Sequence, residues 1–292
     1  MPVSAVDPIA APVIVCLPAM GVSARFYRGF ADALAAATGA TVDTVDLRGQ
    51  GSHPERARSG ASFGYREIVE QDIPACVAGW RARHPGRPVV LLGHSLGGQL
   101  ALLACAQRTA RADALVLVAA GTAHWRAWPA PQRVRARCTV QAIRAAAAVL
   151  PWYPGGRLGF GGDQPRRLMR DWGFNATTGR YRLEGSARST EAIEAALREV
   201  TMPLLAVEVP GDAVAPSGAL DALLALVPHA RATRRVVPVP HGQSPWRRHF
   251  GWARAPAPVV SEIVPWLHEH VAPSGARPPA PRQTEGEPHV LA

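Results

Sequence analysis

The sequence predicts an α/β protein: a mainly parallel sheet of about six strands, helices on both faces, and a helical insertion that interrupts them. Three observations carry this expectation. Short apolar runs without a polar face recur along the chain, as strands buried on both sides require. Segments with apolar residues at helical spacing separate those runs in regular alternation. Between residues 121 and 200 the alternation stops, and aromatic residues gather instead.

Taken in order, Pro12 to Leu17 is an apolar run closed by Pro18 and reads as the first strand. Phe26, Phe30, Ala31 and Leu34 recur at helical spacing over 25–38, and Gly39 stops that helix. Thr41 to Val45 is strand-like and enters the loop Asp46-Leu-Arg-Gly-Gln-Gly51. A helix over 62–83 is expected to start on Ser62 as its cap, to carry Ile68, Val69, Ile73 and Val77 on one side, and to bend at Pro74. Strands at 88–92 and 114–118 flank an Ala/Leu-rich helix over 95–107. After the insertion come a strand at 203–209, a helix at 217–227, a strand at about 234–239 and a last helix at about 258–270. The insertion holds Trp125, Trp128, Trp152, Tyr153, Phe160, Trp172, Phe174 and Tyr181, with a Gly-rich turn at 155–162 and no expected strand. The expected organisation is a core in two parts, 1–120 and 201–272, a cap over 121–200, and a disordered Pro-rich tail over 273–292.

With 292 residues, 48% of them hydrophobic, the chain can bury a substantial core and is not expected to be disordered as a whole. No stretch is apolar enough to span a membrane, and the start lacks the basic-then-apolar layout of a signal peptide. Cys16, Cys76, Cys105 and Cys138 lie far apart, which fits neither a disulfide framework nor a metal knuckle. A cytoplasmic protein is expected, acting as a monomer or homodimer. The net charge of +10 would suit nucleic acid, yet all 32 basic residues are Arg. Alanine fills about one position in five or six, so the bias reads as nucleotide composition. The arginines are dispersed, and neither nucleic acid nor membrane is an expected partner.

The chemistry centres on Gly93-His-Ser95-Leu-Gly97, a G-x-S-x-G stretch between an expected strand and an expected helix. So sharp a turn needs glycine on both sides and lifts the serine hydroxyl above the carboxyl end of the sheet. A serine nucleophile needs a base, an orienting carboxylate and an oxyanion site. Asp212 follows the fifth strand at its carboxyl end and is better placed than Glu208 or Asp221. Its alternative role is to cap the next helix. For the oxyanion, the N–H of Leu96 and one from the loop after the first strand are the candidates. Pro18 has none to give, so Met20 is first choice and Ala19 second. Two histidines can serve as base, His241 and His249, and spacing alone mildly favours His241. Trp125, Trp128 and Trp172 are the expected pocket aromatics. No cofactor or metal is expected, because no His, Cys and carboxylate cluster has ligand spacing.

These residues resemble the α/β-hydrolase superfamily. More narrowly, four stretches are similar to a poorly characterised bacterial branch of it: Leu17-Pro-Ala-Met-Gly-Val22 with Phe26-Tyr27; Asp46 to Gly51; Leu158-Gly-Phe-Gly-Gly162 with Arg170-Asp-Trp172; and His249-Phe-Gly-Trp-Ala-Arg254. In that branch the base lies in a His-Phe-Gly-Phe-Phe-Arg segment, so the resemblance implies His249. The chain departs from the pattern at Trp252-Ala253 and at Arg248, where glycine is common. The implied activity is hydrolysis of an acyl ester or thioester of a small to medium apolar substrate through an acyl-enzyme on Ser95. An acyltransferase with the same triad and a non-catalytic ligand-binding protein are the alternatives.

Overall fold

The computed structural model describes residues 11–238 and 244–271. Six strands form one sheet in the order β2-β1-β3-β4-β7-β8, every neighbouring pair parallel. They are β1 (Val13–Leu17), β2 (Thr41–Thr44), β3 (Val89–His94), β4 (Ala114–Val118), β7 (Pro203–Glu208) and β8 (Arg231–Val236). Strands β5 and β6 belong to the insertion. Side chains alternate between two cores, as strands buried on both faces dictate. Val13, Val15 and Leu17 of β1 face one core with Leu91, Leu115 and Leu204. Ile14 and Cys16 face the other with Val90, Leu92, Val116 and Leu205.

Helices α1 (Arg28–Thr38) and α11 (Ala257–His270) close the second core with Phe30, Leu34, Ile263 and Trp266. The first core is closed by α2 (Tyr65–Glu67), α3 (Ile73–Arg83), α4 (Leu96–Ala106) and α9 (Ser217–Leu224). The helix expected over 62–83 departs from expectation at its start. Gly64, not Ser62, is its cap, and the Gly64 N–H donates to Glu67 at 2.8 Å. Residues Ile68–Asp72 are wound as a π-helix, and Pro74 falls in the first turn of α3 that follows it.

The insertion between β4 and β7 contains α5 (Ala130–Val149), α6 (Gly155–Leu158), α7 (Arg166–Thr178) and α8 (Thr190–Arg198). Contrary to the expected absence of strands, β5 (Trp152–Pro154) and β6 (Asp163–Pro165) pair antiparallel around the Gly-rich turn. The last strand lies at Arg231–Val236, about three residues before its expected place. A short helix α10 (Pro245–Gly251), capped by Ser244, carries His249 where a loop was expected. Among the described residues no helix is long and apolar enough to cross a membrane. The tail expected over 273–292 lies outside the described residues.

Candidate active site

The strand order reverses between β1 and β3, and clefts form where loops leave the carboxyl ends of such strands in opposite directions. There β1 delivers Met20 and β3 delivers Ser95. Ser95 has φ 52° and ψ −120°, a strained conformation for a residue with a side chain. The crossing is tight: a side chain on Gly97 would strike the carbonyl oxygens of Leu17 and Pro18, and one on Gly93 would strike the Gly98 backbone. The Ser95 N–H is spent on the Val118 carbonyl at 3.2 Å. Leu96 is the first residue of α4, so its N–H has no carbonyl to meet within the helix.

Asp212 follows β7 and is 3% exposed. One carboxylate oxygen accepts the N–H groups of Val214 (2.7 Å) and Ala215 (3.1 Å), which fixes the loop. The other accepts from His249 Nδ1 at 2.6 Å. Asp212 thus meets the imidazole on one oxygen and its own loop on the other; it does not cap the next helix, which begins after Pro216 without a side-chain cap. With Nδ1 donating, Nε2 of a neutral His249 is the ring's acceptor. Arg248, the departure from the branch pattern, donates to the Pro210 carbonyl at 2.9 Å and ties α10 to the Asp212 loop. The His249 ring lies against Phe250 (4.7 Å between centroids) and His94 (4.6 Å). Trp252 packs on Phe30 and Tyr27 in the core, not against the cap. His241 lies outside the described residues.

The loop after β1 is held from two sides. The Ala19 N–H donates to the Tyr27 oxygen (3.0 Å), and the Tyr27 hydroxyl meets His94 Nδ1 at 2.7 Å. That oxygen already receives Ala19, so the hydroxyl proton points to His94 and a neutral His94 carries its own proton on Nε2. Burial, and then the neighbouring His249, hold His94 well below the usual histidine range. It is neutral and fully buried, and its Nδ1 is occupied, so it does not compete as a base. Ala19 is thereby removed as an oxyanion donor. The N–H of Met20 has no partner among the described residues. From the other side, the Gln50 amide, oriented to suit its neighbours, donates to the carbonyls of Val22 (2.7 Å) and Ala19 (3.2 Å) and accepts the Gly21 N–H (3.3 Å). Gly21, at φ +77°, also lies so close to Gly161 and Gly162 of the insertion that a side chain there would overlap them.

A cavity of about 450 Å³ opens over these groups, and Ser95, His249, Met20 and Leu96 all line it. Of the expected aromatics, Trp128 and Trp172 line it. Trp125 does not: it lies beneath the guanidinium groups of Arg126 and Arg137. Phe160 and one face of α5 (Gln132, Arg135, Ala136, Thr139, Val140 and Ile143) complete the wall and went unforeseen. The spacing of three and four residues along α5 was the available signal, masked by its many arginines and alanines. Among the described residues no cluster of His, Cys, Asp and Glu could hold a metal ion.

Sheet, elbow and capped cleft together define an α/β hydrolase. The sequence model of the family described as serine aminopeptidase, S33, matches residues 9–239, and the chain belongs to that family. No curated protein matches it in sequence. Among solved structures it is similar to the RedJ thioesterase of the prodiginine biosynthetic pathway in Streptomyces coelicolor, at 19% identity over 91% of each chain with a TM-score of 0.51. It is similar to a metagenome-derived lipolytic enzyme at 16% identity over 90% of this chain and 95% of that one, TM-score 0.59. A monoacylglycerol lipase of Paleococcus ferrophilus is 15% identical over 90% and 97% of the two chains, TM-score 0.56. At these identities the likeness is one of fold.

Proposed function

We propose that the protein hydrolyses an acyl ester or thioester of a small to medium apolar substrate, by two-step acyl transfer through Ser95. The observation that carries this is the buried 2.6 Å bond between His249 and Asp212, in the cavity onto which the strained Ser95 turn opens. In the first step Ser95 Oγ attacks the acyl carbonyl while His249 Nε2 takes its proton. The N–H groups of Leu96 and Met20 receive the oxyanion, and the proton passes to the departing alcohol or thiol. Water, deprotonated by the same histidine, then cleaves the acyl-enzyme and restores the serine. Residues 121–200 act as a cap that closes the acyl pocket, with Trp128, Trp172 and Phe160 against the chain.

An aminopeptidase must also receive an α-ammonium group, for which a carboxylate is the natural partner. The described lining of the cavity contains no Asp or Glu side chain, which favours an ester over a peptide amino terminus. The four cysteines are free, in keeping with a cytoplasmic location. The test is labelling with a fluorophosphonate, followed by turnover of p-nitrophenyl esters of increasing chain length. Modification at Ser95 and turnover of short to medium esters are expected. Turnover that survives complete blockage of Ser95 would overturn the mechanism.

A further inference from the structure

We propose that the acyl pocket carries an anion-binding position at Arg135, so that the substrate bears a carboxylate or phosphate group away from its scissile bond. The inference rests on the hydrolase reading above and specifies its substrate.

The arginines that follow α5 in the insertion include several that are ion-paired, whereas those of α5 are not. Arg167, Arg170, Arg180 and Arg182 each meet a carboxylate: Glu67, Glu184, Glu191 with Glu194, and Asp171, respectively. Helix α5 has four arginines and no Asp or Glu in its 20 residues. Arg133 donates to the Trp128 carbonyl, Arg144 to Gln141, and Arg137 lies over Trp125. Arg135 has no hydrogen bond, ion pair or ring contact among the described residues. It does not project to the far side of the helix. It shares the face of Gln132 and Thr139, three residues before it and four after, and lines the cavity with them.

Arg135 is therefore the one guanidinium in the described lining, and no acidic side chain there offsets it. A cleft lined with one sign of charge concentrates ligands of the opposite sign. A guanidinium also offers forked donors that suit a carboxylate or phosphate. An apolar chain with an anion at its end, or an acyl group on a phosphate-bearing carrier, satisfies both the aromatic wall and Arg135. The two place the anion on opposite sides of the scissile bond.

The experiment compares kcat/KM within two matched pairs. In the first, p-nitrophenyl hydrogen glutarate is set against p-nitrophenyl valerate, which puts the charge on the acyl group. In the second, butyryl-phosphopantetheine is set against butyryl-pantetheine, which puts it on the leaving group. The charged member should be preferred in one pair, and that pair identifies the source of the anion. Arg135→Ala should lower that charged-to-neutral ratio about tenfold, and Arg135→Glu should drive it below one. No preference in either pair, or one that Arg135→Ala leaves intact, overturns the inference. If no ester is turned over and Ser95 is not labelled, the hydrolase reading fails on its own. Calorimetric titration of the Ser95→Ala variant with the same pairs then judges the anion position separately. Tighter binding of a charged member, lost in Ser95→Ala/Arg135→Ala, supports it, and equal or absent binding overturns it.

Discussion

Helices α5 and α7 pack together in the insertion and are held on opposite plans. Of its 13 residues α7 buries Leu168, Met169, Asp171, Trp172, Gly173, Asn175 and Ala176. Two of these are polar: Asp171 reaches out of the insertion to Tyr65, and Asn175 holds the start of the insertion where it leaves the sheet. Asp171 accepts the Tyr65 N–H at 2.9 Å, and Asn175 accepts from Thr122 Oγ1 (3.1 Å) and the Ala123 N–H (2.8 Å). Buried polar side chains of this kind fix one docking geometry, because any other leaves them unpaired. Helix α5 is longer yet buries only Val140, Ile143 and Ala147. It gives one exposed face to the cavity and the other to solvent. The fixed helix anchors the insertion to the sheet domain, and the loosely held one supplies one wall of the cavity. The reacting groups belong to neither helix, so the consequences of substitution should separate by region.

The largest effects should come from the groups gathered above the carboxyl end of the sheet. Ser95→Ala and His249→Ala should each lower kcat by about 10³-fold or more, and the double variant should lose little beyond either single one, since residues acting as a unit are not additive. Full kinetics of the three variants on one p-nitrophenyl ester checks this. A nearly active His249→Ala would transfer the role of base to His241.

Much of this core can be read directly from the residue order. Strands buried on both faces give uninterrupted apolar runs, and 114–118 falls on β4 residue for residue. The Ser95 turn was legible because its glycines answer to backbone contacts only a few residues away, and Asp212 because it ends a buried strand. Strand β8 was misplaced because it is a sheet edge: Arg231-Ala-Thr-Arg-Arg-Val236 is mostly exposed and has no apolar period. The pair β5 and β6 has three residues on each side, with a proline at one end of each, below what alternation can reveal. Helix α10 is too short to show a period, so His249 could be ranked over His241 only weakly from its neighbours Phe250, Gly251 and Trp252, and mainly by resemblance. The bond from Asp171 to Tyr65 spans 106 positions and has no local signature at all.

The next effect tests the loop after β1. Tyr27→Phe removes the hydroxyl that joins Ala19 to His94 and leaves a buried N–H and a buried imidazole nitrogen unpaired. Stability should fall by about 1–3 kcal/mol in urea unfolding. A fall in kcat should accompany it, because Met20 is the next residue along. A variant as stable as the parent would show that the network does not hold the loop.

Asp171 tests the anchoring of α7 through pH. Burial pushes its carboxyl up to about 6 from an ordinary 3.8, against the hydrogen bonds from Tyr65 and Glu184 that lower it. The folded protein therefore holds this proton more readily than the unfolded chain. The stability it contributes is full below about pH 4 and is lost as pH rises through 6. Asp46 and Glu67 are shifted the opposite way. Their own burial raises both, but hydrogen bonds from backbone N–H groups and nearby arginines outweigh it, so they favour folding as pH rises. Subtracting the unfolding free energy of Asp171→Asn from that of the parent cancels them. The difference should decline between pH 4 and 6. A flat difference would mean that Asp171 keeps its ordinary titration and that α7 is not anchored by a costly buried charge.

The smallest effect belongs to α5, and it is one of selectivity. Thr139 is exposed and lines the cavity one turn after Arg135. No side-chain hydrogen bond joins it to another described residue, so its replacement breaks no buried pair. A surface position free of such features changes stability by about 0.5 kcal/mol or less. Thr139→Phe, however, projects a ring into a space of about 450 Å³ that has to hold the acyl chain. Filling it should leave acetyl and butyryl esters nearly as reactive and penalise octanoyl esters about tenfold. One or two displaced methylenes are worth about 0.8 kcal/mol each. The observable is the ratio of kcat/KM for short over long esters, with thermal unfolding as the control. A rise in that ratio without a change in Tm makes α5 the adjustable wall. If Tm falls with the ratio unchanged, α5 is instead part of the packed cap, and its contrast with α7 disappears.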